Sequence, residues 1–307
     1  MNRKEFLKKS FGAGLFLGTA LTFGKYGELM ANTAGNNSIP YDLVAVRNGE
    51  PAEMYERAIK AMGGISKYVK QGQRVLVKPN IGWNVTPELA ANTNPLLVKA
   101  VIKSCLEAGA SSVHVFDHTC DDWVKCYKTS EIERAVKDAG GKIVSGDSEK
   151  YYNHVDVPQG KKLKSAKVHE LVLESDVFIN IPVLKNHGSA KLTMAMKNLM
   201  GIVWDRSFWH RNDLHQCIAD FSTWRNPDLN IIDAYRVMMK NGPRGRSEKD
   251  VATMKFLVMS DDMVAADAAA TKIFGMQPQN VPYINFAHDM QIGNMNLDDQ
   301  NIGRIKM

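Results

Sequence analysis

The sequence predicts an α/β fold: a mostly parallel, doubly wound sheet with helices on both faces and a β-hairpin excursion near residues 150–170. Three observations lead there. Short apolar runs such as QRVLVKP, SSVHVF and DVFINIP alternate with longer amphipathic stretches. That rhythm is lost only around 150–170. The chain has 307 residues of which 44% are hydrophobic, enough to build a large core.

In chain order, YDLVAVRNG is a first strand and PAEMYERAIKAMGGISKYVK an amphipathic helix broken near Gly63 and Gly64. QRVLVKPN is a buried strand ending in Lys78, Pro79 and Asn80. Asn94 is placed to cap the next helix and Pro95 to open it. SSVHVFDH is a strand ending in Asp117 and His118. KTSEIERAVKDAGG is a helix whose start at Thr129 or Ser130, followed by acids, resembles a capping box. KIVSG is a short strand, and HVDVPQGKKLKSAKVHE a hairpin around Gln159 and Gly160. Alternation resumes with the strand DVFINIP, a helix over about 189–200, the Trp- and His-rich connection WDRSFWHRNDLH, and a helix through Ile218 to Trp224. LNIIDAYRVM and MKFLVMS are strands, and DMVAADAAATKIFGM is a helix closed by Gly275. The tail from Val281 is one more helix and a loop.

These elements fill residues 41–307 as a single α/β domain, preceded by an export signal at 1–31 and a polar linker at 32–40. The leader has a basic start and then FGAGLFLGTALTFG, too short to span a bilayer comfortably. NRKEFLKKS resembles the twin-arginine signal, with Lys4 where the second arginine belongs; a plain secretory leader is the alternative. Neither Ala31 nor Ala34 has a small residue at both positions expected for cleavage. The expectation is an exported protein, periplasmic or attached to the membrane through an uncleaved leader, that meets the export machinery through residues 1–31.

The formal charge of +6 overstates the basicity of the folded part, because the leader holds five basic residues against two acidic ones and so accounts for +3. The remaining +3 comes with no basic stripe interleaved with aromatics, which argues against nucleic acid as a partner. Four cysteines and no CxxC exclude reading a disulfide scaffold, a zinc ribbon or an iron–sulfur cluster from spacing. Cys120 and Cys126 flank a short loop and can pair outside the cytoplasm.

In an open α/β sheet, ligands bind beyond the carboxyl ends of the strands. That rule gathers Lys78 and Asn80, Asp117 and His118, Asn180 with Lys185, Asn186 and His187, and Asp233, each at an expected strand end. Within the helix expected at 189–200, Thr193 and Lys197 share a face beside Asn198, among Leu192, Met194, Met196 and Leu199. Lys78, Lys185 and Lys197 together describe a cationic pocket for a carboxylate or phosphate. Each residue alone also has a plain structural role: turns for Asn80 and Asp117, a cap for Asp233, helix-end carbonyls for Lys197 and Asn198. No Walker loop or GxGxxG is present, so the usual nucleotide modes are unsupported. His118, His187, His210, His215, Asp117, Asp233 and Asp267 are enough groups for a metal, but only His210 and His215 are close in sequence and their spacing of five puts them off a common helical face.

GGISKYVKQGQRVLVKPN, TNPLLVKAVI, the Asp117 turn and NIPVLKNHGSAKLTMAMKNLMG closely resemble the domain of unknown function 362 family, as do the IIDA, NGPRG and DMVAADAAATKIFG segments. The resemblance runs over roughly residues 41–303. Its pattern falls on Lys78, Asn80, Asp117, Asn180, Lys185, His187, Lys197, Asn198, Asp233, Gly242, Pro243 and Asp267. Many relatives carry a ferredoxin-type cluster domain, and this chain lacks those cysteines, so no such cofactor is carried over. The resulting expectation is an exported enzyme or redox-associated protein that binds a small anionic ligand. Lys78, Asn80, Asn180, Lys185, Lys197, Asn198 and Asp267 bind it, and His187 or His118 moves protons with Asp117 or Asp233 orienting. The alternative is a non-catalytic periplasmic metal- or cofactor-binding partner of a redox complex.

Overall fold

The computed structural model describes residues 40–307; the expected export signal, 1–31, and the linker through residue 39 lie outside the described residues. The sheet begins with β1 (Leu43–Arg47), followed by α1 (Pro51–Ala61), where the Glu53 carboxylate accepts the Glu50 N–H at 3.3 Å. The helix stops where Gly63 and Gly64 take φ of 101° and 87°, a region that side chains resist. β2 (Arg74–Pro79), α2 (Pro95–Glu107) and β3 (Ser112–Val115) form a parallel β–α–β unit. Asn94 caps α2 as its position predicts, accepting the Leu96 N–H at 2.9 Å.

The stretch expected as one helix capped at Thr129 or Ser130 divides into α3 (Trp123–Thr129) and α4 (Ile132–Asp138). Asp122 caps α3 by accepting the Lys125 N–H at 2.9 Å; Thr129 ends that helix, and Glu131, at φ 61°, turns the corner. After β4 (Lys142–Ile143), β5 (Tyr152–Asp156) and β6 (Ser165–His169) pair as the hairpin expected near 150–170. α5 (Glu170–Glu174) leads to β7 (Val177–Ile181), and Pro182 separates it from β8 (Val183–His187).

The helix expected over 189–200 is mostly absent. β9 (Lys191–Thr193) folds back antiparallel on β8, which places Thr193 opposite Lys185. Helical backbone is confined to α6 (Ala195–Asn198) and a 3-10 turn, Leu199–Ile202. The apolar spacing of Leu192, Met194 and Met196 does not distinguish strand from helix, and β8 alongside completes a ladder for Lys191–Thr193.

α7 (Ser207–Arg211), α8 (Leu214–Ser222), β10 (Leu229–Met238), β11 (Val251–Ser260), α9 (Met263–Phe274) and α10 (Pro282–Asp289) follow. Gly275 closes α9 at φ 91°, as expected. The tail expected as a loop ends in β12 (Ile302–Lys306), parallel to β1; Ile302 and Ile305 are three apart and give no strand period. Among the described residues, no helix is long and apolar enough to cross a membrane.

The sheet order is β12-β1-β11-β10-β7-β2-β3-β4, with β8 on β10 beyond β7 and β9 on β8. β11 runs against β10 and β1, and β9 against β8; the other pairings in this sheet are parallel. Alternate strand residues feed two cores. Val75, Val77, Ile179 and Ile231 face the side covered by α1, α2 and α4, while Leu76, Phe178 and Ile232 face the side of α8, α9 and α10. The parallel core brings the carboxyl ends of β2, β3 and β7 to one edge, where the site forms.

Candidate functional site

At that edge lies a cavity of about 410 Å³ lined by Asn80, Trp83, Asp117, His118, Cys120, Lys185, His187, Thr193, Lys197, Asn198, Gly201, Arg206, His210 and Pro243, among others. Its floor is a buried polar network. Lys78, with 0% exposure, pairs through Nζ with Asp117 Oδ1 at 2.9 Å and donates to Asn198 Oδ1 at 2.8 Å. Asp117 Oδ2 accepts the Ile81 N–H at 2.6 Å. Burial lowers the pKa of Lys78, and the facing Asp117 carboxylate opposes that shift. Asn80 joins this group to the next cation: its Nδ2 donates to Asn198 Oδ1 at 3.0 Å and its Oδ1 accepts from Lys185 at 2.7 Å. Asn198 in turn donates to Asn180 Oδ1 at 2.8 Å, and Asn180 donates to Asn230 Oδ1 at 3.0 Å and to the Ala195 carbonyl at 3.1 Å.

Gly201 is needed at this floor for space rather than as a helix stop. A Cβ built there overlaps Asp117 Oδ1 and comes within 2.5 Å of Lys78 Nζ. The 3-10 turn passes so close to the ion pair that only hydrogen fits.

The walls carry excess positive charge. Lys185 donates to Asn80 and to the Ala91 carbonyl, both neutral acceptors, and burial pulls its pKa down to about 7. Burial likewise brings Lys197 to about 8, with Arg206 and Lys78 pushing the same way and Cys120 opposing. Arg206 donates to the His118 carbonyl at 2.8 Å and the Thr119 carbonyl at 2.9 Å, and its Nη1 lies 3.6 Å from Cys120 Sγ. Among the described residues, no carboxylate lies within 4.0 Å of the cationic atoms of Lys185, Lys197 or Arg206, and the one carboxylate in the lining, Asp117, is engaged by Lys78.

The two histidines hold their protons at opposite ring positions. His118 Nδ1 lies 2.9 Å from the Val203 carbonyl, which can only accept, so that nitrogen carries the proton and Nε2 is left as an acceptor. Its ring stacks on Trp204 at 4.9 Å, and burial lowers its pKa. His187 Nδ1 accepts the Ala190 N–H at 3.1 Å, which places the proton on Nε2. Burial, reinforced by Lys197 and Lys185, takes His187 down to about 2, so this imidazole is neutral at any working pH.

The structure brings together Asn80, Asp117, His118, Lys185, His187, Lys197 and Asn198 as lining, with Lys78 and Asn180 beneath them. It separates two residues expected there. Asp233 lies inside the ten-residue β10, where its carboxylate accepts the Asn94 N–H at 2.8 Å and the Tyr235 N–H at 3.0 Å; burial raises it to about 6. Asp267 on α9 accepts the Ala195 N–H at 2.6 Å and the Met196 N–H at 3.1 Å, is raised by burial to about 8, and so anchors the start of the turn that carries Lys197. Neither lines the cavity, and neither orients a histidine; a backbone carbonyl and an indole hold His118 instead.

Arg206 and Trp83 are lining residues that sequence reasoning missed. The density of Trp, His and Arg in WDRSFWHR was the available signal for Arg206. Cys120 and Cys126 are both free, Cys120 exposed at the cavity and Cys126 buried, its Sγ 3.8 Å from the Gly82 carbonyl. His210 lines the cavity and His215 does not, and among the described residues no group of three or more His, Cys, Asp or Glu is arranged to hold a metal ion. The Gly242–Pro243 segment of the resemblance also finds its place. Gly242 donates to Asn186 Oδ1 at 3.1 Å and packs so tightly on the Asn186 carbonyl that a side chain would overlap it, and Pro243 reaches the cavity rim.

A thylakoid-associated protein of Synechocystis sp. is 27% identical to this chain over 243 residues, 73% of this chain and 70% of that protein. Two solved structures are distant likenesses. A Thermotoga maritima protein aligns at 15% identity and a TM-score of 0.35 over 57% of this chain. The lactate racemase apoprotein of Thermoanaerobacterium thermosaccharolyticum aligns at 10% identity and a TM-score of 0.45 over 82% of it. The chain spans 42% and 58% of the length of those two solved chains. The profile of the domain of unknown function DUF362 matches residues 75–272, a span that includes every lining residue from Asn80 to Pro243. By that match the chain belongs to the DUF362 family.

Proposed function

We propose that the cavity binds a small organic or inorganic anion, a carboxylate or phosphate, and that the protein is an enzyme or redox-associated protein acting on it. The observation that carries this is the charge surplus: Lys185, Lys197 and Arg206 face one cavity without a carboxylate partner among the described residues. Such a wall attracts an anion and repels a metal cation. His118 Nε2 as acceptor can then take a proton from a bound molecule and return it, while the neutral His187 Nε2–H donates a hydrogen bond to that molecule. Export through residues 1–31 belongs to the same proposal and is checked by fractionating cells that express the full chain.

The test is calorimetry or thermal shift with oxalate and inorganic phosphate. Lys197→Met is expected to weaken binding roughly ten- to hundred-fold, the range of one hydrogen bond to a charged group. Unchanged affinity in that variant, or no response of the native protein to either anion, removes the proposal. The pH dependence has a definite sign. Lys185 and Lys197 lose their charges as pH rises through about 7 and about 8, so affinity is expected to fall steadily from pH 6 to 9.

A further inference from the structure

We propose that Lys197 is a nucleophilic amine that forms an imine with a small anionic carbonyl compound. The inference rests on the anion site proposed above and names the chemistry of its ligand.

The cations around the cavity are not equivalent. Lys78 is held by Asp117 and Asn198, Lys185 by Asn80 and the Ala91 carbonyl, and Arg206 by the His118 and Thr119 carbonyls. Those three are pinned in place by their hydrogen-bond partners. The Lys197 amine has neither a hydrogen bond nor an ion pair among the described residues, yet it lines the same cavity. Beside it, Thr193 Oγ1 is also without a partner although the residue is only 3% exposed. A buried hydroxyl left open is expensive unless a ligand completes it, and the neighbouring amine is free to meet the same ligand.

An amine without an acceptor, facing the charges of Arg206 and Lys78 and only partly open to water, is about half uncharged near pH 8 and so keeps a usable share of the lone pair that attack requires. The attacking nitrogen forms a bond to the carbonyl carbon while the carbonyl oxygen, polarised by a hydrogen bond from the neutral His187 Nε2–H, takes up a proton relayed by His118. His118 Nε2 can take the proton released from the nitrogen. Loss of that oxygen as water leaves the imine, so amine plus carbonyl gives imine plus water with no change of oxidation state. Lys185 and Arg206 hold the anionic group and fix the carbonyl within reach.

The experiment is borohydride trapping with the full chain. Pyruvate or glycolaldehyde phosphate is added, then sodium borohydride, and the digest is mapped by mass spectrometry. The expected result is a stable adduct on Lys197, equal in mass to the carbonyl compound less one oxygen, suppressed by excess oxalate. Neutral acetone is expected to label at least ten-fold more slowly, and the faster of the two anionic probes identifies the anionic group as carboxylate or phosphate. With the probe kept saturating at each pH, the rate of labelling is expected to rise with pH to a plateau above about 8, opposite to the trend for anion affinity. Lys197→Arg keeps the charge and is expected to bind oxalate without forming an adduct. Oxalate binding to the native protein with no adduct on Lys197, or an adduct on Lys185 instead, overturns the imine and leaves the anion site standing. Absence of both binding and adduct overturns the two together.

Discussion

Gly201→Ala is expected to lower stability by about 3–5 kcal/mol, the range for breaking a buried ion pair, and to remove anion binding. The added methyl overlaps Asp117 Oδ1 and presses on Lys78 Nζ and Cε, groups held in place by the Ile81 N–H and by Asn198. Either the ion pair separates or the turn carrying Lys197 lifts off the sheet. Urea unfolding monitored by fluorescence gives the stability, and oxalate calorimetry the binding. An alanine variant within about 0.5 kcal/mol of the native protein, the scatter of neutral surface changes, contradicts the packing described.

Asp117→Asn acts on the same floor through charge. It leaves the Lys78 ammonium buried opposite a neutral amide, and loss of one partner of such a pair costs about 3–5 kcal/mol. The double variant Asp117→Leu with Lys78→Met is expected to recover most of that loss, because a desolvated pair can be replaced by apolar groups at little cost. The single variant also has a pH signature. Burial already lowers the pKa of Lys78, and Asp117 is the group that opposes it. Without Asp117 the folded state sheds the Lys78 proton at lower pH than the unfolded chain does, so the unfolded state binds more protons. Stability of Asp117→Asn is therefore expected to rise with pH up to about 10, the unfolded lysine value. A flat or falling profile shows that Lys78 does not depend on Asp117 for its charge.

The strand-end rule made Asn80, Asp117, His118, Lys185 and His187 legible as neighbours, because parallel strands deliver their carboxyl ends to one edge regardless of sequence distance. It failed at Asp233 for a reason of length: β10 runs on to Met238, so that aspartate is mid-strand and serves the backbone around α2. Thr193 and Lys197 were grouped correctly for a reason that does not hold, since Thr193 sits on β9 and Lys197 on α6, and the sharp return between them aims both at the cavity. For Arg206 the sequence offers only the density of WDRSFWHR and not the place of its side chain, because its partners are backbone carbonyls at residues 118 and 119, which have no signature in sequence. The need for Gly201 was visible only as a glycine at a helix end, and space and capping look alike until the ion pair is seen beside it.

The polar floor also sets when in the life of the chain the cavity can exist. Asp117 reaches back 36 residues to Ile81, Lys185 spans 94 to Ala91, and Lys78 spans 120 to Asn198. No fragment ending before residue 198 contains the parts, and contacts of such long sequence separation form only after the intervening loops have closed. Competence to bind an anion is thus a late event of maturation. In refolding from urea, recovery of oxalate binding is expected to trail the return of helical circular dichroism.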